Sequence, residues 1–233
     1  MSISIKKWRY YLKDLEFLGK VFTTKGQAKY LLPWLQSLSK DYLLRKPSAW
    51  ISFPAIGFIK QWAKGQKDLS VFEYGSGGST LFWLSMNCQV VSIEHDPEWF
   101  AKINKIIPVN AKLDYRLVEP EPCSQIPSEY NSRHPKYQYF NFHRYVTQID
   151  SYPDNTFDIV LVDGRSRPYC MQHAALKVRN GGLLILDNAD TPYYVPDNRP
   201  YLKHFKELAF TGLTPTSYWF TQTNIYIKGN GKS

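Results

Sequence analysis

The sequence predicts an α/β fold. It consists of a mostly parallel sheet covered by helices on both faces, an antiparallel finish, and a helical extension in front. Three observations carry this expectation. From residue 67 onward, short β-prone runs alternate with helical ones, the pattern of strands joined by crossover helices. The first such run, Val71-Phe72-Glu73-Tyr74, breaks into Gly75-Ser76-Gly77-Gly78 and then into the helical Ser79-Thr80-Leu81-Phe82-Trp83. The third is charge. Residues 1–70 hold 13 Lys and Arg against 4 Asp and Glu, while residues 71–233 hold 16 of each.

The elements follow in order. Residues 6–22 place Trp8, Tyr11, Leu12, Leu15, Leu18 and Phe22 near a helical period, with lysines and Arg9 interleaved. An apolar stretch over 30–44 contains Pro33, suited to a helix start. Residues 56–63 form a third helical candidate that stops at Gly65. The domain boundary is set near residue 66, giving a basic helical extension over 1–66 and one α/β domain over 67–233.

Within that domain the strand candidates are 71–74, 89–93, 113–118, 157–162 and 183–186. Between them lie helical candidates at 80–86, 98–107, 142–150 and 169–179. Gly181-Gly182 is read as the C-cap of the last of these. Residues 202–209 are expected to be helical, and 217–221 with 223–228 an antiparallel pair. Residues 119–141 are rich in Pro, Tyr, Ser and Asn and read as a long loop, the kind that often covers a binding site.

Composition narrows the function classes. The chain of 233 residues, 43% hydrophobic, can bury a sizeable core. No apolar run is long enough to span a bilayer, and the N-terminus lacks the apolar segment of a signal peptide. Cys88, Cys123 and Cys170 are odd in number and widely spaced, as free thiols in a reducing compartment would be. A cytoplasmic protein is expected. The basic extension reads as a solvated face; it lacks a nucleic-acid motif, and peripheral membrane contact is the less favoured use of its aromatic and basic residues.

The chemistry-bearing residues cluster at strand ends. Glycines after a strand let the backbone turn sharply and a ligand approach. The dinucleotide pattern G-x-G-x-x-G fails at its last position, which is Thr80. Glu94 follows Glu73 by 21 residues and ends the second strand, where a carboxylate can accept from both hydroxyls of a ribose. Asp96 before Pro97 is a helix cap. The fourth strand ends in Asp163-Gly164-Arg165-Ser166-Arg167 and the fifth in Asp187-Asn188. Two carboxylates and an amide oxygen on neighbouring strands suit a hard cation such as Mg²⁺; equally, they can be turn formers held by backbone donors. Arg165 and Arg167 either clamp an anionic substrate group or pair with nearby acids. His143 and His173 are the histidines nearest the rim, and Asp163 or His143 is the candidate base.

Taken together, Glu73-Tyr-Gly-Ser-Gly-Gly-Ser-Thr, Val91-Ser-Ile-Glu94-His-Asp, Phe157-Asp-Ile-Val-Leu-Val-Asp163-Gly-Arg and Gly181-Gly-Leu-Leu-Ile-Leu-Asp187-Asn resemble, in order and spacing, motifs of the class I S-adenosylmethionine-dependent methyltransferases. The resemblance covers roughly residues 68–230. It implies a seven-stranded, Rossmann-like sheet whose last strand is antiparallel. It implies S-adenosylmethionine as cofactor, held by Glu73, Gly75, Ser76, Gly77, Ser79, Thr80, Glu94, His95 and Asp163. In that family the position of Glu94 binds the ribose and that of His95 borders the adenine. Asp163, Asp187 and Asn188 also fall on the three metal-ligand positions of the metal-dependent O-methyltransferases. Where those enzymes place a lysine shortly after the first ligand, this chain reads Gly164-Arg165-Ser166. The expected activity is methyl transfer to an oxygen of a small-molecule or sugar-like acceptor. Two alternatives stay open: a nicotinamide-binding oxidoreductase, and a non-catalytic cofactor-binding protein acting through its basic N-terminal region.

Overall fold

The structure is a computed structural model and describes residues 16–195 and 199–229. The first part of the helix expected over 6–22 lies outside these. Residues 16–23 are helical (α1), followed by α2 (Leu31–Ser37), α3 (Tyr42–Arg45) and α4 (Phe53–Trp62). The alternating part runs β1 (Ser70–Tyr74), α5 (Gly78–Ser85), β2 (Gln89–Glu94), α6 (Pro97–Asn104) and β3 (Leu113–Leu117). A short hairpin, β4 (Glu121–Pro122) with β5 (Phe140–Asn141), closes the long loop. Then come α7 (His143–Val146), β6 (Phe157–Val162), α8 (Arg167–Lys177), β7 (Val178–Leu186), β8 (Phe205–Gly212) and β9 (Thr221–Lys228).

Seven strands form one sheet in the order β3-β2-β1-β6-β7-β9-β8. β1 pairs in parallel with both β2 and β6, so the strand order reverses around it, while β9 runs antiparallel to β7 and β8. A crevice therefore opens beyond the carboxyl ends of β1 and β6, where ligands of such sheets bind.

The period of two in the strands divides the core into two layers. Phe72 and Tyr74 face one layer with Tyr145, Ile149, Cys170 and Met171; Val71 faces the other with Ile56, Ile59, Phe82 and Trp83. Burying the Val71 and Phe72 side chains, both fully covered, stabilises the fold by about 1.5–3 kcal/mol each. α4 sits in the second layer, although it precedes residue 66, and Ala49 and Ile51 are in the same cluster. A third, smaller cluster joins Phe17, Val21 and Trp34 to Leu213. Side chains of this N-terminal part hold the β8–β9 connection. Trp34 Nε1 donates to Ser217 O (2.7 Å), Trp50 Nε1 to Pro215 O (3.1 Å), and Gln27 Oε1 accepts from Leu213 N (3.0 Å).

Three local expectations give way. Residues 202–209 were expected to be helical, but β8 occupies 205–212 and pairs along its whole length with β9. Its tertiary partner overrides a helical propensity that is worth only tenths of a kcal/mol per residue. Only the later half of the expected antiparallel pair is a strand, since 217–220 form the turn into β9. Gly181-Gly182 does not cap α8; β7 already begins at Val178, and Gly181, at φ +75°, sits where the β6–β7 register shifts. Among the described residues, no helix is long and apolar enough to cross a membrane. All three cysteines are free thiols.

Candidate functional site

The glycine turn is built by close approach. Gly75 has φ +91°, and a Cβ there would lie 2.9 Å from Gly164 Cα. A Cβ on Gly164 would in turn lie 2.1 Å from the Tyr145 hydroxyl. A side chain at Gly75 would have to move backbone, and one at Gly164 would have to displace the buried Tyr145 ring. Asp163 N donates to Tyr74 O (3.0 Å) across this contact, and Gly75 N donates to Ile93 O (2.9 Å) on the β2 side.

A cavity of about 590 Å³ opens above the turn. Its floor and walls include Gly75, Ser76, Glu94, His95, Asp163, Asp187 and Asn188. Sequence reasoning named all of these. It did not single out Trp50, Trp99, Tyr137 and Trp219, whose aromatic faces line the same space. They come from four segments far apart in the chain, and no local pattern marks them. Trp99 is positioned by a hydrogen bond from its Nε1 to Ser76 O (2.8 Å).

Glu94 is 2% exposed and surrounded by donors. Oε2 accepts from Ser76 N (3.0 Å) and Ser76 Oγ (2.9 Å); Oε1 accepts from His95 N (2.7 Å) and Asp96 N (2.9 Å). Burial alone would raise its pKa, but His95 beside it (Nδ1 at 2.8 Å from Oε1) and the backbone donors more than offset this. The carboxyl is held below its ordinary range and is ionised at neutral pH. Asp96 caps α6 as expected, Oδ1 accepting from Glu98 N (3.0 Å) and Trp99 N (3.1 Å). Its Oδ2 accepts from Lys136 Nζ (3.1 Å) and Tyr137 OH (3.2 Å), so the long loop over 119–141 is latched to the rim.

Glu73, Gly77, Ser79 and Thr80 do not line the cavity. The reason is the period of two. Glu73 has the parity of Val71 and points beneath α5, not out of the strand end. There its Oε2 accepts from Thr80 Oγ1 (2.5 Å) and Ser92 Oγ (2.7 Å), while Thr80 Oγ1 accepts from Gly77 N (3.0 Å). This network fixes the turn from below. Burial raises the Glu73 carboxyl to about 7 despite these donors.

The opposite wall gathers around Arg167, which is 7% exposed. Nη2 donates to Asp163 O (2.8 Å) and Asp163 Oδ1 (2.9 Å), Nη1 to Asn188 Oδ1 (3.2 Å) and Asp187 O, and Nε to Gly164 O (3.0 Å). Asp187 Oδ1 accepts from Thr223 Oγ1 (2.7 Å), which accepts from Ser52 N (3.0 Å). Asp163, Asp187 and Asn188 thus converge as the sequence suggested, but the cation among them is a guanidinium. Asp163 Oδ1 and Asn188 Oδ1 accept from it and Asp187 Oδ1 from Thr223, so these oxygens serve Arg167 and Thr223 and not a shared divalent ion. Among the described residues, no group of three or more His, Cys, Asp and Glu is placed to share a metal. Burial pushes both aspartates up. For Asp187 the neighbouring Asp163 adds to this, and for Asp163 the Arg167 charge opposes it.

His143 is exposed at the start of α7 and packs on Tyr130, outside the cavity lining. His173 pairs with Asp150 (2.8 Å) and is also outside it. Neither is placed to serve as a base there. The histidines that line the space are His95 and His134. The two arginine readings separate: Arg167 pairs with Asp163, and Arg165 stays on the cavity wall.

Neither a family model nor a curated protein sequence matches the chain. Solved structures do match in fold. A Corynebacterium glutamicum protein is 11% identical, with 88% of this chain and 98% of that one covered at a TM-score of 0.53. A cofactor-bound protein from MTB is 14% identical over 91% and 94%, at 0.50. The Burkholderia thailandensis 1,6-didemethyltoxoflavin-N1-methyltransferase, solved with 1,6-didemethyltoxoflavin and S-adenosylhomocysteine, is 12% identical over 99% and 92%, at 0.47. With its seven strands in this order and β9 antiparallel, the chain has a Rossmann-like α/β fold with a strand order typical of methyltransferases.

Proposed function

We propose that this protein is an S-adenosylmethionine-dependent methyltransferase acting on a small-molecule acceptor, through an oxygen of that acceptor. One observation carries the reading. An ionised, buried carboxylate, Glu94, stands beside a glycine turn at the strand-order reversal and opens on a cavity large enough for a nucleoside. When bound, S-adenosylmethionine supplies an activated methyl group. In this reading Glu94 accepts from the ribose hydroxyls, with Ser76 Oγ turning aside. His95 and Trp99 border the base, and Gly75 lets the backbone approach the amino-acid part. Alignment is the main catalytic task. Asp163, raised by burial and facing the cavity, takes the acceptor's proton.

The test is titration calorimetry with S-adenosylhomocysteine and with NAD. Binding of the first and not the second is expected; the reverse would make the protein a nicotinamide enzyme and end this reading.

A further inference from the structure

A second cavity, about 780 Å³, adjoins the first and shares His134, Arg165 and Arg167 with it. Its charged lining is of one sign. Arg133, Arg165 and Arg167 face it, and among the described residues no aspartate or glutamate does. Arg167 is committed to Asp163, but Arg133 and Arg165 have no carboxylate partner among the described residues; they lie over the rings of Tyr193 (4.3 Å) and Tyr137 (5.5 Å). Ser166 lines the same space. It is 5% exposed, at φ +54°, and its hydroxyl has no hydrogen-bond partner. It is also the residue before α8, an 11-residue helix whose first turn, through Tyr169, forms part of the wall. Two free guanidiniums therefore face one space, and the chain beneath them enters α8 there. Tyr169, Tyr193, Tyr194 and Tyr201 supply flat faces and hydroxyls around them. The charges of Arg165 and Lys136, together with burial, also lower the pKa of His134 on this wall.

We propose that this second cavity is the acceptor site and that the acceptor carries a phosphate or carboxylate group bound by Arg133 and Arg165. The proposal rests on the methyltransferase reading, since it makes the shared wall at Arg165 the border between cofactor and acceptor. An anionic group held there leaves the remainder of the molecule to reach across toward Asp163. A hydroxylated ring among the tyrosines fits the lining.

The experiment is calorimetry at low ionic strength on the full chain saturated with S-adenosylhomocysteine. The probes are glucose 1-phosphate, glucuronate and glucose. Binding of glucose 1-phosphate or glucuronate without glucose is expected, and the better of the two identifies the oxyanion. Arg133→Gln, which touches only the second cavity, is expected to weaken the bound probe by about tenfold. Its affinity for S-adenosylhomocysteine should stay that of the parent chain, which also reports that it folds. Equal binding of glucose, loss of no affinity in Arg133→Gln, or displacement of S-adenosylhomocysteine by the probe would each overturn the proposal. Failure of S-adenosylhomocysteine itself to bind would instead remove the methyltransferase reading.

Discussion

The two halves of the rim hold buried carboxylates by opposite means. On the β1–β2 side, Glu94 is met by four donors, three of them backbone N–H groups, and stays ionised. On the β6–β7 side, Arg167 donates to the Asp163 carboxylate and to the main-chain oxygen of Asp187, whose carboxyl is held by Thr223, and both carboxyls are raised. The His95 ring and the fixed backbone dipoles together more than offset the burial of Glu94. A single cation serving two acids leaves each under-compensated while the other is charged. The first arrangement gives a constant acceptor, and the second a group able to exchange a proton near neutral pH.

The comparison breaks most sharply at Arg167. Arg167→Met should cost about 3–5 kcal/mol, because Asp163 loses its paired cation, Asp187 loses a nearby one, and five hydrogen bonds disappear. Urea denaturation measures this. Arg167→Lys should recover little, since a point ammonium cannot replace the fork; near-complete recovery would mean that charge alone matters there.

Glu94→Ala should weaken S-adenosylhomocysteine binding by about 1.5–3 kcal/mol, the scale of hydrogen bonds to a charged group. Calorimetry on the variant, with folding checked by its melting temperature, decides it. An unchanged affinity would move the ribose site off the β1–β2 side.

A third carboxylate, Glu73, sharpens the contrast through pH. Its folded pKa of about 7 lies above its ordinary 4.5. The unfolded chain therefore gives up this proton first. The contribution is fully favourable below about pH 4.5 and is lost as pH rises to about 7. Glu73→Gln should flatten the stability profile across that window; a slope identical to the parent's would show that Glu73 is not buried as described.

The smallest effect is expected at His143. Exposed and outside the cavity, His143→Ala should change stability by about 0.5 kcal/mol or less. It should leave the affinity for S-adenosylhomocysteine as it is in the parent chain.

Local rules were enough for much of this protein. Hydrophobic runs and glycines located β1, β2, β3, β6 and the later half of β7, because a buried parallel strand is itself a local pattern. Asp96 was legible as a cap from Pro97 alone. The tertiary structure decided whatever depended on partners remote in sequence. β8 is a strand because β9 lies beside it. Arg167 takes the centre of the acid cluster because β6 and β7 end side by side beneath α8, while Arg165, two residues earlier, is left facing the cavities. Glu73 and Glu94 look equivalent as acids at strand ends. Yet parity along β1 turns Glu73 under a helix, whereas Glu94, the last residue of β2, meets the donors of the turn after β1. Sequence spacing fixes which residue types stand at the end of each strand. Which of them face solvent, a helix or one another is set by neighbours that only the closed sheet brings within hydrogen-bond reach.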